Sequence, residues 1–188
     1  MTQKSLTASP ICGSAAIFAE GAEHLPIVVG DFALTIAAID GTHGELSLEW
    51  LDARSGKPAR PTAADLAGSI PVAGQADLAG GDVATLLSPD GRHLFVQWST
   101  EALIVDVDAG TVQLVASDFG IRGDAIDDTT VYGTTENGSV TIDLASAVAT
   151  PLDEGTLAVT DVVGDTAVLA VPSDGVSKSD QLIVAHRP

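Results

Sequence analysis

The sequence predicts an all-β fold assembled from one supersecondary unit used four times, and three observations predict it. Turn markers recur at one step. Gly91, Asp128 and Asp165 each precede an apolar run at intervals of 37 residues, and Asp106 and Asp143, which close such runs, are again 37 apart. A period in this range is the signature of a repeat architecture. The runs are short, rich in β-branched and aromatic residues, and bounded by Gly, Pro, Asp and Ser. No window carries a 3.6-residue apolar stripe; "TAADLAG" (62–68) is the one helix-like piece, and it is short.

The clearest unit spans 82–117. "DVATLL" (82–87) reads as a strand, and Ser88-Pro89-Asp90-Gly91 as a tight turn, Pro with its fixed φ and Gly with its permissive one. "HLFVQW" (93–98) and "ALIVDV" (102–107) follow as strands, and "DAG" turns the chain into "TVQLVA" (111–116). An upstream copy occupies 24–61, with Asp31 before "FALTIAAID" and Asp52 before a Ser55-Gly56-Lys57 turn. The Ala- and Gly-rich stretch 62–81 is read as a long connection carrying a short strand near Ile70–Val72. Two more copies follow at 121–153 and 156–188. The last supplies only "TLAVTDVV", "TAVLAVP" and "QLIVAH", so "SAAIFAE" (14–20) is expected to pair with 181–186 as its missing strand.

Four antiparallel strands per unit read as a propeller blade. "LLSPDGRHLFVQW…ALIVDVDAGTVQLV" resembles the blades of WD40-like and YVTN-type β-propellers, through Ser88, Pro89, Asp90, Gly91, Asp106 and Gly110. Asp52 and Gly56 match the second half of that pattern, and Asp143 matches it without the glycine. The Gly-His and Trp-Asp signatures of strict WD40 repeats are absent, Val105 standing where Trp would. The resemblance implies a single domain over 1–188, a small β-propeller of about four blades with an N-terminal strand closing the last. It implies no function.

Charge narrows the partners. With 26 Asp and Glu against 8 Lys and Arg, the net charge is −18, so nucleic acid and anionic membranes are repelled. Such a surface suits high salt, where self-repulsion is screened. A hydrophobic content of 45% argues against disorder. One cysteine, Cys12, excludes an intrachain disulfide, and no apolar stretch is long enough for a membrane-spanning helix. The opening segment resembles a signal peptide only faintly, because Pro10, Gly13 and several hydroxyl residues interrupt its apolar run. It is read as part of the fold. The compartment, cytoplasmic or exported, stays open.

Candidate site residues are few. Asp106 and Asp108 alternate before Gly110 and present oxygens of the kind calcium takes, but an EF-hand-like loop needs further acids where Ala109, Thr111 and Val112 stand. The favoured reading is a hairpin turn in which Asp106 binds backbone amides. Asp124, Asp127 and Asp128 form the densest acidic cluster, a second cation candidate read foremost as a solvated turn. His24, His43, His93 and His186 form no ligand motif, and no nucleophile elbow or phosphate loop is present. Trp50 and Trp98 are candidates for stacking a sugar or peptide, with packing between blades as the plainer role. The expected function is a binding or scaffold module, without a cofactor, that engages a protein or peptide at a propeller rim. Two rivals stand beside it: a calcium-dependent hydrolase or lyase, and a half-propeller that homodimerises into an eight-bladed ring.

Overall fold

The structure, a computed structural model, describes residues 9–11, 14–16, 27–38, 46–73, 83–98, 101–115, 120–154, 156–171 and 181–186. A hairpin of β1 (Ser9–Ile11) and β2 (Ser14–Ala16) comes first. Four antiparallel sheets follow. The first holds β3 (Ile27–Val29), β4 (Phe32–Ala38) and β5 (Leu46–Asp52). The chain then passes through α1 (Ala63–Leu66), and β6 (Val72–Ala73) joins the free side of β3, giving the order β5-β4-β3-β6. The second sheet is β7 (Val83–Leu87), β8 (His93–Trp98), β9 (Glu101–Asp106) and β10 (Thr111–Leu114). The third is β11 (Arg122–Ile126), β12 (Thr130–Thr135), β13 (Gly138–Asp143) and β14 (Val148–Pro151). The fourth is β15 (Ala158–Val163), β16 (Thr166–Val171) and β17 (Gln181–His186). Sheets two to four are simple meanders.

One register runs through all four. Phe32 pairs with Asp52, His93 with Asp106, Thr130 with Asp143 and Thr166 with His186. Side chains alternate faces along a strand, so this register sorts them. The pairs Leu34–Trp50, Phe95–Ile104 and Tyr132–Thr141 occupy equivalent positions facing the next sheet, and Val168–Val184 take the same side of the last one. Their neighbours Leu94–Val105, Val131–Ile142 and Ala167–Ala185 face the previous one, and Ala33–Leu51 take the same side of the first sheet. Even the irregularities repeat: β11 shifts register between Gly123 and Ala125, and β15 between Val159 and Asp161.

The core consists of the layers between sheets. Ile27, Leu34 and Trp50 of the first sheet meet Leu94, Val96, Leu103 and Val105 of the second. The opposite face of the second sheet sends Phe95, Ala102 and Ile104 against Val131, Val140 and Ile142 of the third. Both faces of this sheet are therefore buried. That explains why "HLFVQW" and "ALIVDV" read as nearly continuous apolar runs and not as alternating ones. β11 and β12 pack on β15, which brings in the fourth sheet. Among the described residues, the first and fourth sheets share no interface of comparable extent.

The expected closure by 14–20 is corrected. Ser14–Ala16 pairs with Ser9–Ile11, not with 181–186, and residues 17–20 lie outside the described residues. The physical reason is loop closure. A hairpin joined by two residues costs little chain entropy, whereas pairing 14–20 with 181–186 closes a loop of nearly the whole chain.

Helix α1 sits where the long connection passes the second sheet's turn. Gly91 has φ +74, and a Cβ there would lie 2.2 Å from the Ala63 carbonyl oxygen and 2.5 Å from the Ala67 nitrogen. These two atoms form the helix's own 2.9 Å hydrogen bond, so the glycine backbone lies directly against it. Gly91→Ala is therefore expected to destabilise by about 2 kcal/mol or more, the left-handed backbone alone accounting for about 1–2. Urea unfolding checks this, and an unchanged midpoint would contradict the docked position of α1.

Candidate functional site

Two kinds of turn gather at one end of the stack. The first kind joins the opening pair of strands in each sheet: Gly30-Asp31, Ser88 to Gly91, Asp127 to Thr129, and Gly164-Asp165. The second kind follows the third strand: Asp52 to Gly56, Asp106 to Gly110, and Asp143 to Ala147. Backbone bonds tie each second turn to the first: Ala53 N–H to the Asp31 carbonyl (2.8 Å), Val107 to Arg92 (2.9 Å) and Leu144 to Thr129 (2.9 Å). The result is one rim that carries most of the aspartates singled out in the sequence.

The second turns are built identically. The carboxylate of the first residue accepts the backbone N–H three residues on: Ser55 to Asp52 (2.6 Å), Ala109 to Asp106 (2.8 Å) and Ser146 to Asp143 (2.8 Å). Its carbonyl accepts the N–H of the fifth residue, which is left-handed: Gly56 at φ +67, Gly110 at +66 and Ala147 at +55. Ala147 thus does the work of the glycine whose absence marks the third unit. The hydrogen bonds from Ser55 and Ser146 hold the Asp52 and Asp143 carboxyls below the usual aspartate value, against a small opposing effect of burial.

Asp108 faces outward from its turn and reaches the neighbouring segment. Its Oδ1 accepts the Ala63 N–H at the start of α1 (2.9 Å), and its carbonyl accepts Arg60 Nη2 (2.6 Å). Asp106 has Arg92 3.7 Å away. Both candidate calcium ligands therefore hold protein groups. Asp128 Oδ1 likewise accepts the Asp90 N–H at 3.0 Å, which links the turns of the second and third sheets. Within its own turn, Asp90 Oδ1 accepts the Ser88 hydroxyl (2.6 Å) and the Arg92 N–H (2.9 Å).

Asp127 and Asp124 differ from the solvated turn expected of them. Asp127 is buried; its Oδ1 accepts Thr129 N–H, Thr129 Oγ1 and Thr130 N–H, and its Oδ2 accepts the Tyr132 hydroxyl, all at 2.8–2.9 Å. Burial pushes its pKa up, but these donors prevail and hold it below the usual aspartate value. Asp124 lies in the bulge of β11, away from that turn, with Thr134 Oγ1 at 2.9 Å and Arg122 at 3.3 Å. Asp124, Asp127 and Asp128 therefore do not converge. Among the described residues, no three His, Cys, Asp or Glu side chains are arranged to hold a metal ion.

The bulge also explains a residue that sequence reasoning missed. Gly123 presses on the Phe95 ring, and its N–H donates at 3.0 Å to the buried Gln97 Oε1 across the second interface. A lone glutamine inside the apolar "HLFVQW" run was the available signal.

Trp50 is buried in the first layer, and its ring borders a cleft of about 420 Å³ with Leu48, Glu49, Pro58, Ala59, Arg60 and Gly110. Its Nε1 and the Nδ1 of His93 are buried without a partner among the described residues. The Trp98 side chain, Cys12, His24 and His43 lie outside the described residues, and His186 ends β17. The cleft's charged lining residues are Glu49 and Arg60, of opposite charge.

The class defined by these features is an all-β protein of stacked antiparallel sheets with a rim of aspartate turns. No protein-family model matches the chain, and no curated protein does. Among solved structures it is similar to the extracellular domain of a proposed one-component system from B. thetaiotaomicron, at 13% identity and a TM-score of 0.41 over 76% of this chain. The chain spans 18% of that structure's length. Among the described residues, no helix is long and apolar enough to cross a membrane.

Proposed function

We propose that the protein is a binding or scaffold module, a propeller-type stack that engages a protein or peptide partner at its acidic rim. The observation that supports this most is the bonding between rim turns. Asp90 to Asp128, Ala63 to Asp108 and Arg60 to Asp108 hold the turns of neighbouring segments in fixed relation. A surface pre-organised in this way binds without first ordering its loops. Its free carboxylates, Asp165 foremost, complement a basic partner. No observation among the described residues favours the calcium-dependent enzyme.

The test is titration of a lysine- and arginine-containing peptide against two variants of equal charge change. Asp31→Lys/Asp165→Lys alters the rim, and the Asp31–Arg54 pair it breaks is exposed and adds little stability. Glu136→Lys/Asp153→Lys alters the opposite end. The rim variant is expected to weaken binding about tenfold and the other to leave it nearly unchanged. Equal weakening by both would mean that the peptide reads net charge, and would end the rim assignment.

A further inference from the structure

The two ends of the stack are unlike its middle. Ile104 is 2% exposed beneath the third sheet, whereas Val184, at the equivalent position of the last sheet, is 67% exposed. Cross-strand pairs Val168–Val184 and Ala170–Leu182 make the outer face of the fourth sheet an apolar stripe at the positions that elsewhere face the next sheet. Val163 adds to the exposed apolar surface of this sheet. At the other end, Ile70 and Val72, beside and on the edge strand of the first sheet, are also exposed. Of the eight large apolar side chains exposed among the described residues, five lie at these two ends; Ile183 is on the inward side of the fourth sheet, and Leu114 and Val148 are on outer strands. Monomeric proteins seldom leave such surface contiguous.

We infer that the outer face of the fourth sheet stacks on the first sheet of a second copy of this chain, so that two chains close head to tail. The register supplies the argument for the occupant. The open face continues the sheet-on-sheet layers already made three times, and what such a layer accepts is the previous-facing side of a sheet. The first sheet presents that side with Val28, Ala33 and Thr35 half-buried and Val72 exposed, Leu51 on the same side being already buried within the chain, and no described sheet packs across it. An interface between unlike faces forms either a ring or an open filament. Two four-sheet stacks make eight, within the range over which propeller rings close. Net charge of −18 opposes association at low ionic strength, so salt strengthens it. This inference is independent of the rim reading.

Light scattering on the sizing column tests it. The wild type is expected at twice 19.0 kDa, the dimer growing more stable from low to molar NaCl. Leu182→Lys/Val184→Lys and Ile70→Lys/Val72→Lys should each be monomeric with unchanged near-UV circular dichroism, because the altered side chains are exposed in the single chain. Mixing the two variants should restore a dimer, since one unaltered interface remains between them. A wild type that stays monomeric at molar salt, variants that stay dimeric, a mixture that stays monomeric, or an open series of larger species would each overturn the proposal.

Discussion

Phe95→Ala is expected to destabilise the protein by about 4 kcal/mol, the range for truncating a fully buried aromatic residue. Phe95 is 0% exposed and joins the second and third sheets, with Gly123 under its ring and Ile104 beside it on the neighbouring strand. The partner glycine makes this prediction specific. A Cβ on Gly123 would lie 2.5 Å from Phe95 Cε1, so Gly123→Ala should by itself cost about 1–3 kcal/mol through overpacking. Combined with Phe95→Ala, the added methyl enters the space the ring vacates. The double variant should therefore be more stable than the sum of the single losses implies, by more than about 0.5 kcal/mol in denaturant unfolding. Additive losses would show that the ring does not bear on Gly123.

Asp127→Ala is expected to cost about 2 kcal/mol, because it removes an ionised, buried acceptor from four donors in a turn whose other residues are partly solvated. Asp127→Asn should cost less, since an amide oxygen still accepts from the turn. The same carboxylate sets a pH dependence. Its folded pKa lies below the ordinary 3.8, so the stability it confers is present above about pH 3.8 and is lost as pH falls through the folded value. Asp52, Asp65 and Asp143 are lowered too, through hydrogen bonds from Ser55, Thr62 and Ser146, and act in the same direction. Unfolding midpoints measured downward from pH 7 should hold level and then drop below about pH 4. Asp127→Asn should make that drop shallower. An unaltered slope in this variant would show that Asp127 ionises no more readily in the folded protein than in the unfolded chain.

Features that depend on a few neighbouring residues are legible in the sequence. The recurring Asp before a left-handed residue is a five-residue device. Its carboxylate binds an amide three positions on, so Asp52, Asp106 and Asp143 announce their turns from local chemistry alone. The step of 37 announces that one such unit recurs, and four antiparallel sheets follow from it. The left-handed residue that completes the Asp143 turn is legible only in the folded chain, because alanine does not advertise a φ of +55.

The sequence by itself therefore determined most of the strands and their turns, since these follow from local composition and bonds spanning a few residues. Tertiary structure alone decided what each face and each spare polar group meets. Asp108, a calcium candidate beside the favoured hairpin reading, binds Ala63, 45 residues away. Gln97, which the sequence reading passed over, binds Gly123, 26 residues away. Ser14–Ala16 looked like the partner of the last strand and pairs with its neighbour. Such pairings are settled by which surfaces the stacking brings within hydrogen-bond reach, weighed against the entropy of closing the loop between them. Neither quantity is written in a local pattern of residues.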